Sequence, residues 1–165
     1  MTILSAQSIR KLCVDMAYLD PFTERWAKPL ITPFVEAGKV NGKSFGLSAC
    51  TYDCRSADKI VVPVGQSRLA STMERFCFPS TICGSVLDKS TWARVFLTAF
   101  NTHLDPGWEG YLTVELSNLG DEVVEIEPGE PLVQVKFEWL DEPTQLPYSG
   151  KYQQQEAGPQ QARYD

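Results

Sequence analysis

The sequence is poor in the residues that build metal sites. It has 165 residues and a single histidine, His103. A zinc-dependent nucleobase deaminase needs a His-x-Glu motif followed by Pro-Cys-x-x-Cys. His103 is followed by Leu104 and Asp105, and the five cysteines form no Cys-x-x-Cys pair. The sequence therefore excludes a zinc deaminase and predicts no metal site made by the protein itself. The odd number and irregular spacing of the cysteines predict reduced, mostly buried thiols.

Further absences narrow the class of protein. There is no run of about 18 apolar residues, as a membrane-spanning helix would need, and no signal peptide. The Gly-x-x-x-x-Gly-Lys-[Ser/Thr] phosphate loop is also missing. The net charge is -6, whereas nucleic-acid-binding proteins usually carry a basic surplus. We therefore expect a cytoplasmic protein, from a bacterium or a phage-infected host, that binds neither nucleic acid nor membrane.

A short amphipathic helix is predicted near the N-terminus. Ser5 belongs to the residue types that cap helix N-termini. Apolar residues then recur at helical spacing, namely Ile9, Leu12, Cys13 and Met16. The helix is expected to end before Asp20-Pro21, because the residue before a proline disfavours helical geometry. Residues 20–45 contain scattered prolines and glycines, which predicts irregular coil with at most short strands.

The stretch from Phe45 to Trp139 has the pattern of an all-β domain. Short β-rich runs alternate with turn signals, at residues 60–62, 68–72, 76–79, 111–116, 123–126 and 132–137. Many short strands at this spacing indicate a sandwich or barrel, and the lack of long helical segments argues against a parallel α/β fold. We place one domain at residues 1–150. Residues 151–165 are rich in glutamine and almost free of aliphatics, so a flexible tail is expected.

Three segments carry side chains suited to chemistry, although each also has a simpler structural interpretation. In residues 111–116, alternation places Thr113 and Glu115 on one strand face, which is either solvated or the lining of a polar cavity. Residues 88–94 combine two cations, two hydroxyls and an indole, either in a helical turn or at a site for phosphate and a base. In residues 102–110, Asp-Pro-Gly predicts a tight turn, which either ends a hairpin or grips a ligand.

The order of the motifs along the chain resembles the dCTP deaminase branch of the dUTPase superfamily. The resemblance covers nearly the whole chain, and it is the shared order that makes it specific, since any one motif is weak. The matching segments are Tyr52–Arg55, Lys89–Arg94, Asp105–Gly110, Leu112–Asn118, Val133–Phe137, Pro147–Tyr148 and Lys151–Gln155.

The resemblance implies a distorted β-barrel of the dUTPase-like, jelly-roll type, assembled as a homotrimer with active sites shared between subunits. The family's catalytic glutamate matches Glu115, which would take a proton from the water that attacks cytosine C4 and pass protons toward N3 and the leaving ammonia. Ser90 and Arg94 match the residues that orient water, base and phosphates. Mg²⁺ would arrive bound to the triphosphate rather than in a protein cage.

The resemblance also implies a set of substrate contacts. Those near the catalytic set are Lys89 and Thr91. A hairpin segment would hold the base and sugar through Asn101, Thr102, Asp105 and Trp108. The other matching positions are Gln134 on a strand, and Tyr148, Lys151, Tyr152 and Gln155, which would close over the triphosphate.

Departures from the family pattern leave the base open. The segment between Arg94 and Asp105 is shorter than in the family, Phe96 stands where a glycine is common, and Asn101 replaces a small residue. The first hypothesis is deamination of dCTP. The alternatives are dUTP hydrolysis to dUMP and pyrophosphate, for which Asp105 matches the water-activating aspartate, a bifunctional enzyme, and a non-catalytic nucleotide-binding module. Trp108 and the Lys-Tyr-x-x-Gln tail favour the deaminase.

Overall fold

A computed structural model describes residues 2–15 and 28–164 of the chain. The predicted helix is present as α1 (Ala6–Val14), and the Oγ of Ser5 accepts a hydrogen bond from the Ser8 backbone N–H at 3.4 Å. Leu4 and Ile9 flank this cap and are both buried, as in a hydrophobic staple. Met16 and Asp20-Pro21, which entered the helix prediction, lie outside the described residues.

The rest of the described chain is built almost entirely from short antiparallel strands. In chain order they are β1 (Thr2–Ile3), β2 (Ile31–Thr32), β3 (Ala37–Val40), β4 (Lys43–Leu47), β5 (Thr51–Arg55), β6 (Ile60–Val62), β7 (Ser67–Cys77), β8 (Ile82–Asp88), β9 (Leu97–Ala99), β10 (His103–Leu104), β11 (Glu109–Asn118), β12 (Val124–Ile126) and β13 (Pro131–Trp139). A second, one-turn helix, α2 (Ser90–Ala93), follows β8. The all-β prediction with a short N-terminal helix is confirmed.

The strands form two main sheets with a core between them. One sheet has the order β10-β8-β13-β5-β4-β3, with β1 also paired to β13, and the other has the order β2-β7-β11-β9. A small third sheet pairs β12 with β6. Phe76 from one sheet and Phe137 from the other are fully buried, and their ring centroids are 6.4 Å apart. The apolar residues of each strand therefore alternate into a shared interior.

Two features of the β-structure depart from the sequence prediction. The prediction of irregular coil is wrong for residues 37–47, which form the hairpin β3–β4. Asn41 and Gly42 at its tip have φ values of 49° and 77°, as a two-residue type I′ turn requires. The runs at residues 68–72 and 76–79 are joined through one long strand, β7, whose register against β11 shifts between Tyr111 and Thr113.

The tail lies along β11. Gln155 forms a parallel bridge with Gly110, and the Tyr111 N–H donates to the Gln155 carbonyl at 3.0 Å. Strand β9 pairs with β11 only at Leu116–Asn118, so the tail runs beside the opposite end of the strand. This arrangement brings residues 148–162 over the face that carries Glu115.

The cysteines and helices agree with the remaining sequence expectations. Cys13, Cys54, Cys77 and Cys83 are buried free thiols, and Cys50 is exposed. Within residues 2–15 and 28–164, no helix has both the length and the hydropathy needed to cross a bilayer.

Candidate active site

A cavity of about 480 Å³ opens between β11, the segment that contains β10, and the tail. This volume is in the range that suits a small-molecule ligand. The predicted site residues that line it are Thr102, Asp105, Trp108, Glu115, Tyr148, Tyr152 and Gln155, and the other lining residues are Leu69, His103, Leu104, Leu112, Thr113, Gln160, Gln161 and Ala162. We call this the tail cavity.

Glu115 is the chemically distinctive residue of the tail cavity. Its strand alternates as predicted, with Leu112, Val114 and Leu116 buried and Thr113 and Glu115 only partly so. Partial burial raises the pKa of Glu115 above its ordinary value. No side chain among the described residues donates a hydrogen bond to its carboxylate. A carboxyl group that is sheltered but unpaired is suited to exchanging protons with a bound ligand.

The predicted tight turn forms the wall beside Glu115. The Trp108 N–H donates to the Asp105 carbonyl at 3.1 Å, and Gly107 has a φ of 85°. A Cβ at Gly107 would lie 2.7 Å from the Cβ of Pro147, so the close approach of the two segments requires glycine. The Asp105 side chain is 54% exposed and its Oδ1 lies 3.8 Å from Nε2 of His103. The turn therefore presents a carboxylate and an imidazole at the mouth of the cavity.

The tail forms the opposite wall of the cavity. Trp108 packs on Phe78 of the core, with ring centroids 6.4 Å apart, and donates from Nε1 to the Tyr152 carbonyl at 2.8 Å. Nε2 of Gln155 and the backbone N–H of Gln160 both donate to Oγ1 of Thr113, at 2.6 and 3.0 Å. The hydrophobic core thus fixes Trp108, and Trp108 and Thr113 fix the tail.

The mouth of the cavity also carries positive charge. Nζ of Lys151 is 5.8 Å from the centroid of the Tyr152 ring, and the guanidinium carbon of Arg163 is 5.9 Å from the same centroid. Lys151 donates to the Arg163 carbonyl, and Nη1 of Arg163 donates to the Lys151 carbonyl at 2.8 Å. Lys151 was identified from the sequence, whereas Arg163 was missed because only its charge marks it.

The α2 segment lies elsewhere on the chain. Ser90 and Arg94 are exposed, and Arg94 lines a separate cavity of about 350 Å³ that also includes Trp92 and Phe96. Lys89 is buried in an ion pair with Asp53. A single chain therefore does not bring Ser90, Arg94, Lys89 or Thr91 to the cavity that contains Glu115.

Two further predicted contacts also lie outside the cavity lining. Gln134 is on β13, opposite Asp53 of β5. Asn101 is exposed and directly precedes Thr102, the first lining residue of that segment.

A family model described as dCTP deaminase-like matches residues 46–140, which is more than half of the chain. The chain belongs to the dCTP deaminase-like family. A dCTP deaminase of Pyrococcus horikoshii is 34% identical over 138 residues, which cover 82% of this chain and 83% of that protein. The match to the family model includes Glu115, and the resemblance inferred from the motifs is confirmed.

Solved structures extend the comparison to the fold of this dCTP deaminase-like chain. EIAV dUTPase superposes with a TM-score of 0.53 at 18% identity, covering 72% of this chain and 94% of that one. A mutant dUTPase from phage phi11 of S. aureus, whose structure reveals the coordination of a structural Mg(II) ion, superposes with a TM-score of 0.51 at 16% identity, covering 62% and 84%. The dUTPase-like fold is therefore shown.

Phe96 marks a departure of this dCTP deaminase-like chain from its family pattern. Its φ is 59° and its side chain is 66% exposed. This left-handed conformation is one that glycine adopts freely and that bulky residues rarely do, which explains why the family commonly has glycine there. Val95, Leu119 and Val123 are also exposed, and the Leu119 N–H donates to the Phe96 carbonyl at 3.0 Å. Phe96 therefore belongs to an exposed apolar surface beside α2.

Metal-ligating side chains are dispersed in this dCTP deaminase-like chain. Across residues 2–15 and 28–164, no three His, Cys, Asp or Glu side chains converge as a metal centre would require. In the tail cavity the carboxylates are Asp105 and Glu115. This donor set fits a magnesium ion that is carried by a nucleotide, since such an ion needs few ligands from the protein.

Proposed function

We propose that this protein is a dCTP deaminase that hydrolyses dCTP to dUTP and ammonia without zinc. The observation that carries the proposal is Glu115, a sheltered carboxyl group with a raised pKa and no side-chain donor among the described residues, in a cavity of suitable size. Family membership supplies the substrate class, because the relatives are named dCTP deaminases.

In the proposed reaction, Glu115 takes a proton from water as the water oxygen attacks C4 of cytosine. The proton passes to N3, and the C4 amino group receives a further proton as the C4–N bond breaks, so that ammonia leaves and the uracil carbonyl remains. The raised pKa suits this exchange, since the carboxyl must both accept and return a proton near neutral pH.

The proposed enzyme is a homotrimer whose active sites are shared between subunits. Ser90 and Arg94 are exposed on α2, away from Glu115 of their own chain, so they could serve a neighbouring copy. The exposed apolar residues Phe96, Leu119 and Val123 lie in the same region, and exposed patches of this kind often mark interfaces. Lys89, with Thr91 and Gln134, would support that shared site.

The tail, residues 151–165, is proposed to close over the nucleotide. Lys151 lies at the mouth of the cavity beside Tyr152, while Tyr148 and Gln155 line its wall. A lysine ammonium suits phosphate oxygens. Asn101, Thr102 and Trp108 would contact the base and sugar from the other side. Mg²⁺ would enter with the triphosphate and neutralise its charge, and the protein's own cations would hold the remaining phosphate oxygens.

Hydrolysis of dUTP is the second candidate function. Asp105 shares the tail cavity with Glu115 and is half exposed, so both carboxylates face one ligand space. An exposed carboxylate is ionised at neutral pH and can activate water near a phosphate. A bifunctional enzyme would use Glu115 on the base and Asp105 on the triphosphate.

Product analysis tests both proposals. The purified full-length protein is incubated with Mg²⁺ and either dCTP or dUTP, and the nucleotides are resolved by ion-exchange chromatography. Conversion of dCTP to dUTP, with dUTP persisting, supports a monofunctional deaminase. Conversion of dCTP to dUMP supports the bifunctional enzyme, and consumption of dUTP alone supports the hydrolase. If neither nucleotide changes while both bind, a nucleotide-binding module replaces the enzyme.

A further inference from the structure

Glu109 is the centre of a charged network that lies just outside the tail cavity. It opens β11, directly after Trp108, and is only 8% exposed. Its Oε1 accepts hydrogen bonds from Nη1 of Arg75 at 2.6 Å and from Nζ of Lys28 at 3.0 Å. Its Oε2 accepts from Lys28 at 2.9 Å and from Nε2 of Gln154 at 3.0 Å. One carboxylate therefore joins three separate parts of the chain, including the tail.

Two consecutive glutamines complete the network on the tail side. Nη2 of Arg75 donates to Oε1 of Gln154 at 2.9 Å, so that Arg75 and Glu109 together satisfy this side chain. The backbone N–H of Glu109 donates to Oε1 of Gln153 at 2.9 Å. Nε2 of Gln153 donates to the Gly107 carbonyl at 2.7 Å. The side chains of residues 153 and 154 are thus both bound to the start of β11 and the turn before it.

The held residues lie between two residues that line the cavity. Tyr152 precedes Gln153, and Gln155 follows Gln154; both Tyr152 and Gln155 line the tail cavity, whereas Glu109 and Arg75 do not. Fixing residues 153 and 154 on the outside therefore sets where Tyr152 and Gln155 stand on the inside. We propose that Glu109, together with Arg75, is a positioning residue that anchors the tail and so prepares the nucleotide-binding wall of the cavity.

The anchor stays charged over the working range of pH. Burial by itself would raise the pKa of Glu109, but hydrogen bonds from Lys28, Arg75 and Gln154 lower it to about 2. Its carboxylate is therefore ionised throughout the range in which Glu115 exchanges protons. A variant at Glu109 should alter substrate affinity without moving the pH profile of turnover, and this distinguishes positioning from catalysis.

The test compares Glu109→Gln with a matched control, Glu130→Gln. Glu130 is also buried and ion-paired, with donors from Lys43 and Asn41 at 2.8 Å each, but none of these residues contacts the tail. The amide of Glu109→Gln keeps the size and removes the charge that three donors share. Hydrogen exchange of the peptides that span residues 148–164 is measured by mass spectrometry without nucleotide, followed by kcat and KM for dCTP with Mg²⁺.

The anchor predicts at least about tenfold faster tail exchange in Glu109→Gln, since loss of one charge-assisted hydrogen bond is worth a factor of this size. It also predicts a comparably higher KM with kcat and its pH dependence unchanged, and neither effect in Glu130→Gln. Equal tail exchange in the two variants would overturn the anchor, as would a fall in kcat with an unchanged KM. The kinetic part depends on the proposed function, but the exchange result stands even if the protein does not turn over dCTP.

Discussion

Replacing Glu115 by glutamine should stop turnover while preserving the strand. The side chain keeps its length and shape, and it accepts no side-chain hydrogen bond among the described residues, so no donor there loses a partner. The neighbouring wall of the cavity, including Thr113 and Leu69, stays in place because β11 is paired to β7 on both sides of this position. The substitution therefore removes a proton acceptor and little else.

The loss of rate follows from the role proposed for the carboxyl group. General acid–base catalysis contributes about 10²–10⁴-fold to rate, which is about 2.7–5.5 kcal/mol of activation free energy at 1.36 kcal/mol per decade. We expect kcat for dCTP to fall by this factor or more, because the same group serves the attack on C4 and the departure of ammonia. The KM should change little, since Thr102, Trp108 and the tail remain.

The stability of the variant should move in the opposite direction. Partial burial raises the pKa of Glu115 above the ordinary value of 4.5, so the folded state binds this proton more tightly than the unfolded state. The free energy of unfolding then falls as the pH rises from 4.5 through the raised pKa. Glu115→Gln removes that cost, so its melting temperature should exceed that of the wild type at pH 7 and match it below about pH 4.

The assay combines turnover with thermal unfolding. Formation of dUTP and ammonia is followed from pH 5 to 9, with Glu122→Gln as an exposed control. In the wild type the acidic limb of kcat should lie above pH 4.5, because Glu115 must be ionised to accept a proton. Turnover by Glu115→Gln within tenfold of the wild type would refute the assignment. A lower melting temperature at pH 7 would refute the account of its burial.

Three further predictions concern the tail, the core and metal dependence. Ending the chain at Gly150 should raise the KM for dCTP at least about tenfold and lower the melting temperature by only a few degrees, because the uncovered polar groups gain water; a calorimetric loss much larger than that would show that the tail is part of the folding unit. Glu74→Gln should lower the free energy of unfolding in urea by about 3–5 kcal/mol, because Glu74 is fully buried and accepts from Nε of Arg55 at 2.7 Å; the exposed partner of Arg10, changed as Glu36→Gln, should cost no more than about 1 kcal/mol, and equal costs would contradict the argument. A zinc-selective chelator in excess Mg²⁺ should leave the rate of dCTP deamination unchanged, and a loss that added zinc restores would disprove the metal-free chemistry.

Local patterns in the sequence were sufficient to identify the strand that carries Glu115. Alternation has a period of two residues, so the face shared by Thr113 and Glu115 could be predicted from six consecutive letters. The hairpin at Asn41-Gly42 carried an equally local signal, but the many prolines and glycines around it favoured a prediction of coil. Sequence reasoning fails here when two local signals compete.

Contacts between distant residues could not be predicted in this way. The order of the motifs along the chain gives no distance between α2 and β11, so the separation of Arg94 from Glu115 within one chain emerged only from the structure. The tail shows the same limit. Its composition predicted mobility, whereas Gln154 is held by partners 45 and 79 residues away, Glu109 and Arg75.

The pairing of the tail with β11 has a consequence for association between molecules. Beyond Glu115, β9 does not extend along the strand, and in the described structure the bridge from Gln155 to Gly110 covers that edge. An uncovered strand edge offers free N–H and C=O groups to any other extended chain. The tail therefore also works as an edge guard. Each time it lifts to admit or release a ligand, it opens a short template for β-pairing, so self-association should increase under conditions that free the tail.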